Sequence, residues 1–490
     1  MTREELIQQN VILKEQIALQ EQKYKTLQEQ FNQLLKLING FKSERFIPSQ
    51  TASEQLNMFE NASKQEDVPE EASQTITYQR NPQKHQGRNK LPEHLPVKEV
   101  VIEPEEDTQD MVKIGEEVSE TLEYTPASLI KRRTIRPKYA TKEKDKVVIA
   151  ELPSRPIPKS IAEASLLAYI LVAKFVDHLP LYRQIQQFKR DFGWEVPQST
   201  IGDWVDKCCK LLEPLYNKLK QKVISSDYIQ ADESPIKVLD KDKKASTHQG
   251  YQWVYRDPLQ GLVLFNYRKG RGQHGPKEIL AEYKGYLQCD GYKVYDKIGE
   301  QQGIVLVGCL AHARRKFFEA KDNDAQRANH ALKIIQEIYL AEREIKKQAE
   351  ADLVLKQSLR EERIASKIKE LKNWIEQESI KVLPKSAIGK AMTYYLNQYP
   401  KIEAILLDAK IELDNNLIEN AIRPLALGRK NYLFAGSHKG AENIAMMYSF
   451  FASCKINEVN PREWLQEILE KIPDYNIQHI EELLPNQCKK

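Results

Sequence analysis

The chain has 490 residues, of which 41% are hydrophobic and 29% charged, and its formal net charge is +4. This length allows several domains and at least one sizeable core, and the composition is that of a globular protein. Six cysteines without regular spacing exclude a disulfide framework and fit a reducing compartment. The N-terminal residues lack the apolar core of a signal peptide. The longest apolar run, Leu166 to Ala173, is far shorter than the ~20 residues that span a bilayer. We therefore expect a cytoplasmic protein.

Residues 1–40 carry apolar side chains at alternating spacings of four and three. Eight of the ten seam positions are apolar, and no Pro or Gly occurs before Gly40. This pattern predicts a coiled coil of about five heptads. With Leu6 at a d position, Asn10 falls at an a position, where a buried Asn favours a parallel dimer in fixed register. The alternative is an amphipathic helix folded back onto its own chain.

The next two segments are polar. Residues 41–97 are rich in Gln, Ser, Asn, Glu and Pro, so they cannot bury enough surface to order themselves and predict a flexible linker. Residues 98–155 form a module that splits by charge. Its stretch 99–123 holds ten acids and one base, and its stretch 131–146 holds eight bases and two acids. The basic run is suited to DNA phosphates, and a solvated charged loop is the alternative.

Residues 160–222 predict a helical region. The segment LYRQIQQFKRDF (181–192) indicates one helix, a turn follows from Gly193, and a second helix starts near Ser199. This is the layout of a helix-turn-helix, whose second helix enters the major groove N-terminus first. The residues expected to contact DNA are Gln198, Ser199 and Thr200 at base edges and Arg183, Lys189 and Arg190 at phosphates. A purely structural helical subdomain is the alternative.

Three acids distant along the chain are candidates for one site. Asp232 lies in a strand-like alternation, Asp290 ends an apolar strand at an Asp-Gly turn, and Glu419 lies on a helix that begins near Asp414. Two acids at strand ends and one on a later helix can converge on hard divalent cations, which prefer oxygen ligands. Taken alone, Glu419 would be a salt-bridged surface acid.

Four ordered blocks carry a family resemblance: ADESPIKV, LQCDGYKVYD, GCLAHARRKFFEA and DNNLIENAIRPLALGRKNYLFAGS. They resemble the catalytic motifs of DDE transposases of the insertion sequence 66 family, and flanking similarities extend over most of the chain. The resemblance implies an α/β, RNase H-like catalytic domain over residues 225–430 and a helical C-terminal region over 431–490. It also implies that Asp232, Asp290 and Glu419 are the catalytic acids and hold two Mg²⁺ or Mn²⁺ ions.

A helical insertion is predicted between the second and third acids. The acids are separated by 290 − 232 = 58 and 419 − 290 = 129 residues, and the second separation is too long for a simple crossover. Residues 324–411 are dominated by Ala, Leu, Ile, Lys and Glu at helical spacing. Tyr394, Tyr395 and Tyr399 within this insertion are interpreted as helix packing rather than base-stacking residues.

Basic residues flank the acids. The cations expected to contact DNA phosphates are Arg314, Arg315, Lys316, Arg423, Arg429 and Lys430. His312 could position substrate or shuttle a proton, or it could be purely structural. The family commonly has a base directly after its Glu, whereas this chain has Asn420.

Two further sequence features, a glycine pattern and the absence of Cys before Cys208, bear on dinucleotide binding and on zinc binding. Residues Gly270 to Gly275 match the dinucleotide-binding pattern G-x-G-x-x-G. The preceding strands indicate an antiparallel meander rather than a dinucleotide-binding fold, so we interpret these glycines as a loop that follows a β-hairpin. The stretch IGEEVSETLEYTPAS…RPKYA resembles the family segment that folds around zinc. Since no Cys occurs between Met1 and Lys207 and structural zinc takes four thiolate or imidazole ligands, we expect no zinc.

The sequence therefore predicts a transposase that cleaves and transfers DNA strands at the ends of an insertion sequence. The expected partners are double-stranded DNA of the element ends and the target, a second copy bound through residues 1–40, and accessory proteins of the same element. No membrane partner is expected, and the protein should act at a bacterial nucleoid. The alternatives are a DNA-binding or assembly protein with lost or partner-dependent catalysis, and an RNase H-like nuclease without joining activity.

Overall fold

The structure is a computed structural model that describes residues 153–240 and 247–488 and the short pieces 8, 13–21, 23–25, 27–28, 31, 128–130, 138–140 and 147–149. The linker predicted for residues 41–97 and most of the module predicted for 98–155 lie outside the described residues. The described residues of the first forty are helical and exposed. None of the helices in the described part is long and apolar enough to cross a membrane.

Two short strands precede the main body. Strand β1 (Lys138–Ala140) pairs antiparallel with β2 (Val147–Ile149). Three helices follow: α1 (Ala164–Phe175), α2 (Leu181–Phe192) and α3 (Gln198–Ile224). Helix α2 ends at Gly193, which has φ 63° and supplies the left-handed conformation that glycine adopts without strain. The observed bounds of α2 agree with the segment predicted from the sequence.

A five-stranded mixed sheet forms the centre of the molecule. Its strands are β3 (Tyr228–Leu239), β4 (Thr247–Asp257), β5 (Leu262–Arg268), β6 (Gly285–Gln288) and β7 (Ile304–Val307). The spatial order is β5-β4-β3-β6-β7. Strands β3, β4 and β5 are antiparallel neighbours, whereas β6 is parallel to both β3 and β7. Two short helices, α4 (His274–Ile279) and α5 (Lys293–Gly299), connect the later strands, so the fold is helix-rich mixed α/β.

Five helices follow β7: α6 (Leu310–Glu319), α7 (Ala325–Ala349), α8 (Leu353–Arg363), α9 (Ala365–Ser379) and α10 (Ala387–Glu403). A 3₁₀ turn, Ala404–Leu407, comes next. The apolar faces of α7, α9 and α10 pack into a core that also receives Val307 and Phe317. Within this core the buried Arg360 guanidinium donates to Glu342 at 2.5 and 2.8 Å, which keeps both charges paired. A helical insertion therefore separates β7 from the last helices, as the composition predicted.

The C-terminal part contains α11 (Asn416–Tyr432), α12 (His438–Ile456), α13 (Pro461–Lys471) and two 3₁₀ turns, Ile472–Asp474 and Ile477–Leu483. Helix α12 is buried along its length and packs against β5. Its Ser449 and Ser453 hydroxyls accept hydrogen bonds from the backbone amides of Phe265 and Val263 at 2.8 and 3.0 Å. The outer edge of β5 is thereby covered, and its backbone donors are satisfied.

Candidate active site

The strand register places the two segments that carry the aspartates side by side. In the parallel pair, Gln230 of β3 lies opposite Gln288 of β6. Asp232 and Asp290 each come two residues later (232 − 230 = 290 − 288 = 2), and side chains two apart on a strand share a face. Local hydrogen bonds orient both carboxylates. Asp232 Oδ1 accepts from the Glu233 amide at 2.7 Å, and Asp290 Oδ1 accepts from the Tyr292 amide at 2.9 Å.

Glu419 is placed by the docking of α11 on the sheet. The apolar face of this helix, which includes Ile418, Ile422 and Leu425, is buried. The Arg256 guanidinium of β4 donates to the Leu417 carbonyl at 2.6 Å and anchors the first turn. The Glu419 side chain remains 28% exposed, so it lies at the edge of the site where a substrate could reach it.

The Asp232 carboxyl is affected by the charges of the other two candidate acids. The pKa of Asp232 is raised to about 8, first by burial and then by the charges of Glu233, Asp290 and Glu419. Two acids distant in sequence therefore act on the same buried group. In the part of the chain that the structure describes, no three His, Cys, Asp or Glu side chains form a ready coordination shell. The site is a concentration of negative charge rather than a preformed cage.

Glu233 is a buried acid that the sequence did not single out. Its side chain is 4% exposed, and the Arg271 guanidinium donates to its Oε1 at 2.6 and 2.9 Å. Burial raises the pKa of Glu233, while the hydrogen bonds from Arg271 oppose that rise. Arg271 also stacks over the Tyr292 ring, 4.2 Å from its centroid. The glycine pattern around Arg271 thus places a cation against this acid, which does not resemble a phosphate-binding turn.

His312 and Arg315 of α6 approach the third acid. His312 Nε2 lies 3.9 Å from Glu419 Oε1, and Arg315 Nη2 lies 3.9 Å from Glu419 Oε2. Burial lowers the pKa of His312, although Glu419 and Asp290 both act to raise it. Arg314, Arg315 and Lys316 are exposed on the same helix. The structure therefore groups the predicted basic run with Glu419.

A polar cavity of about 520 Å³ opens beside Asp290. Its lining residues are Gly291, Lys293, Asp296, Tyr394, Asn397, Gln398 and Lys401. The Tyr394 ring lies so close to Gly291 that a Cβ there would be 2.9 Å from it. Glycine at this position therefore lets α10 of the insertion approach the loop that carries Asp290. The insertion forms one wall of the space next to the acids.

Comparison with known proteins identifies the family. The family model described as Transposase IS66 family matches residues 159–443, which is more than half of the chain. The chain belongs to the IS66 transposase family. Three further models match in the order expected of an IS66 protein: Transposase C of IS166 homeodomain over 26–100, the zinc-finger binding domain of transposase IS66 over 106–141, and the IS66 C-terminal element over 449–486. These matches support a transposase and fit a DNA partner.

Three relatives of this IS66-family chain come from Sinorhizobium fredii (strain NBRC 101917 / NGR234). The uncharacterized protein y4jD is 33% identical over 479 residues, which are 92% of each chain. The uncharacterized protein y4qI is 34% identical over 412 residues, or 80% of this chain and 76% of the relative. The uncharacterized protein y4hP is 28% identical over 495 residues, or 95% of this chain and 89% of the relative. The similarity therefore extends along nearly the whole chain.

The expectation that the protein takes no zinc is wrong. Residues 106–141 match the zinc-finger binding domain of transposase IS66, which indicates zinc binding. The expectation rested on counting Cys side chains and treated thiolate and imidazole as the only ligands. Zinc also accepts carboxylate oxygens from Asp and Glu, which the count left out. Most of this segment lies outside the described residues.

The residues predicted to contact DNA in the helical region occupy two helices of this IS66-family chain. Gln198 and Ser199 are exposed at the start of α3, and Thr200 is half-buried. On α2 the Lys189 amine lies 2.6 Å from Glu195, and the Arg190 guanidinium lies 2.6 Å from Asp191. The Arg183 guanidinium donates to the Tyr182 hydroxyl at 3.0 Å. Two consecutive helices joined by a short turn are present, and their assignment as a DNA-binding helix-turn-helix stays a prediction.

The basic residues after Glu419 differ in their surroundings. The Arg429 guanidinium donates to the Pro235 carbonyl of β3, and burial lowers its pKa. Lys430 is exposed, and Arg423 is half-buried. Arg429 thus ties α11 to the strand that carries Asp232. The phosphate contacts predicted for these three residues stay predictions.

Proposed function

We propose that this chain is a transposase that cleaves and joins DNA strands at the ends of an insertion sequence. In this proposal its catalytic domain is RNase H-like, and Asp232, Asp290 and Glu419 are the catalytic acids. Two observations support the proposal: β3 and β6 are paired in parallel register, and the charges of Asp290 and Glu419 both act on the Asp232 carboxylate, within the segment that matches the family model. Three antiparallel strands extended by two parallel strands agree with the RNase H-like plan.

The donor set of this site fits a hard divalent cation. It consists of carboxyl groups, and burial together with the charges of Asp290 and Glu419 opposes ionisation of Asp232, an effect that a bound cation would offset. Asp232, Asp290 and Glu419 would hold two Mg²⁺ or Mn²⁺ ions. When bound, these ions would activate an attacking oxygen and neutralise charge at the phosphoryl group. Glu233 has Arg271 as its partner and is therefore not counted among these ligands.

The surrounding residues would bind and orient the DNA strand. Arg314, Arg315 and Lys316 present positive charge on the exposed side of α6, next to Glu419. His312 is neutral at pH 7 because burial lowers its pKa, so it can exchange a hydrogen bond with a water or a phosphate beside Glu419. Positioned charge of this kind is the main contribution that a protein makes to phosphoryl transfer.

Substitution of the acids tests the proposal. Asp290→Ala, Asp232→Asn and Glu419→Gln should each lower cleavage of end-sequence DNA at least ~100-fold, because each removes charge stabilisation at the reacting phosphoryl group. Binding of the same DNA should stay nearly unchanged. Asp227→Asn is the matched control, since Asp227 precedes β3 but is exposed and paired with Lys410.

Cleavage is measured on labelled end-sequence DNA with Mg²⁺ or Mn²⁺, and binding is measured by gel shift without metal. Full cleavage by any of the three acid variants would rule out the site. A wild-type chain that binds the ends but does not cleave them under any metal condition would instead indicate an assembly protein. Cleavage without attachment of 3′ ends to target DNA would indicate a nuclease.

A further inference from the structure

A glutamine precedes each strand acid by two positions. Gln230 on β3 and Gln288 on β6 are opposite each other in the parallel register, and both are fully buried. The Gln230 amide nitrogen donates to Gln288 Oε1 at 2.9 Å. The two side chains therefore form a direct bridge between β3, which contains Asp232, and β6, which leads to Asp290.

Both amides also reach the segment that leads into α11. Gln230 Nε2 donates to the Asp414 carbonyl at 3.1 Å, and Gln288 Nε2 donates to the Glu412 carbonyl at 2.8 Å. Residues 412–414 immediately precede the helix that carries Glu419. The same two side chains thus contact the backbone that holds each of the three acids.

Tyr228 completes this group, which we call the amide clasp (Tyr228, Gln230 and Gln288). Its hydroxyl donates to Gln288 Oε1 at 2.6 Å and accepts from the Glu412 amide at 3.1 Å. Buried polar groups cost stability unless they are hydrogen-bonded, and the Gln230 and Gln288 amide nitrogens and the Tyr228 hydroxyl all have partners here, whereas Gln230 Oε1 has none. An apolar cluster of the same volume would pack the segment without fixing its register. The clasp therefore specifies where residues 412–414 lie along the strands.

We propose that Gln230 and Gln288 are positioning residues that hold Glu419 in register with Asp232 and Asp290. The inference rests on the proposed function, in which these three acids act together on bound cations. Groups that act together need placement to within about 0.5 Å, which one apolar helix face does not supply. The amide clasp supplies it by direct hydrogen bonds from side chains of β3 and β6 to the backbone of residues 412–414.

The test compares two amide-to-thioether substitutions in the full chain. Gln288→Met keeps the length of the side chain but removes the donor to Glu412. Gln252→Met is the matched control, because Gln252 is also fully buried and its Nε2 donates at 2.9 Å to the Ala441 carbonyl of α12, which carries none of the three candidate acids. Hydrogen exchange, melting temperature and Mn²⁺ affinity by calorimetry are measured for both variants and the wild type.

We expect Gln288→Met to speed hydrogen exchange in residues 416–423 and to weaken Mn²⁺ binding about 10-fold, the usual effect of losing an outer-shell partner. Gln252→Met should lower the melting temperature similarly but leave Mn²⁺ affinity unchanged. Unchanged exchange in residues 416–423, or faster exchange with unchanged Mn²⁺ affinity, would overturn the inference. If the wild type binds Mn²⁺ but cleaves no DNA, the proposed function fails. Hydrogen exchange and Mn²⁺ affinity of the two variants then still test whether the amide clasp positions Glu419. A wild type without Mn²⁺ binding overturns both.

Discussion

Two adjacent acids within β3, Asp232 and Glu233, have different electrostatic surroundings. Glu233 is nearly fully buried, but Arg271 and Tyr295 both donate to its carboxylate. Asp232 receives a backbone amide, and the charged groups that act on its pKa are all acids. The charge of Glu233 is therefore balanced within the protein, whereas ionisation of Asp232 is opposed by its neighbours and would be favoured by a cation from outside the chain. This contrast distinguishes a structural acid from a candidate ligand at neighbouring positions.

Lys174 on α1 is a second residue whose charge is unfavourable in the fold. Its amine lies 5.3 Å from the Phe175 ring centroid and 5.6 Å from that of Tyr432, and burial lowers its pKa from 10.5 to about 8. Because the folded state holds this proton less tightly than the unfolded state, the group destabilises the protein below pH 8. The penalty disappears as the pH rises from about 8 to 10.5.

Lys174→Met should therefore raise the melting temperature at pH 7, with a gain of up to about 3 kcal/mol in the free energy of unfolding. The gain should be much smaller at pH 10 and vanish well above pH 10.5, where the amine is neutral in both states. Thermal melts at pH 7 and pH 10 test this, with Lys210→Met on the exposed side of α3 as control. A lower melting temperature for Lys174→Met would mean that the cation–π contacts outweigh the cost of burial.

Gly285 sets the position of a whole element, strand β6. Its φ is 139°, and a Cβ added there would lie 2.3 Å from the Asp227 carbonyl oxygen at the start of β3. The Tyr286 amide donates to that same carbonyl at 2.8 Å. The close approach therefore fixes the register in which Asp290 lies beside Asp232.

Gly285→Ala should lower the melting temperature, because backbone strain of this kind costs about 1–3 kcal/mol before the clash is counted. Cleavage should fall further than stability explains, since β6 must shift relative to β3. Gly202→Ala in α3 is the opposite control. No atom lies within 4 Å of a Cβ at Gly202, so this variant should gain roughly 0.5–1 kcal/mol. An unchanged melting temperature for Gly285→Ala would show that the strand pair tolerates a different register.

The local sequence pattern predicted helices and strands better than it predicted the contacts between them. The helix over 181–192 and the strand segment LVLFNYR were visible because their apolar periodicity is set by the faces they bury. The acids were found because each lies in a recognisable motif. The pair Arg271–Glu233 and the bond from Gln230 to Asp414 join residues 38 and 184 apart. No periodicity connects such positions, so only the folded chain shows them.

The start of α11 illustrates the same limit. The run Asp414-Asn415-Asn416 predicted a helix start, and α11 begins at Asn416. The cap itself differs, because Asn415 makes no side-chain cap bond, whereas Asp414 accepts from the Asn416 amide at 3.0 Å and from the Tyr339 hydroxyl at 2.8 Å. Tyr339 belongs to α7 of the insertion. A tertiary contact has therefore replaced the local cap.

At the scale of the molecule, the two ends of the helical insertion lie next to each other beside strand β7. The Gly308 amide after β7 donates to the Lys401 carbonyl at 2.9 Å, and the Leu310 amide donates to the Leu413 carbonyl at 3.1 Å. The chain that enters α6 is thus bonded to the chain that leaves the insertion. A separation of 129 residues between the second and third acids does not displace Glu419, because both ends of the insertion are fixed beside the strands.

The first forty residues offer a test of assembly in the whole molecule. The described seam residues Leu13, Ile17, Tyr24, Leu27 and Phe31 are helical and between 50% and 67% exposed in the single chain. Pairing of two copies would bury this seam, and each buried aliphatic side chain contributes about 1.5–3 kcal/mol. The family match over residues 26–100 overlaps the end of the predicted coiled coil.

Ile17→Asp should therefore convert a dimeric chain to monomers, as measured by light scattering after size exclusion. Leu19→Asp is the matched control, because Leu19 is 54% exposed and Ile17 55%, yet Leu19 falls at a c position outside the seam. If the helix folded back onto its own chain instead, neither variant would change the mass and both would alter the melting temperature. Equal loss of the dimer in both variants would mean that a broader apolar surface, and not the heptad seam, joins the copies.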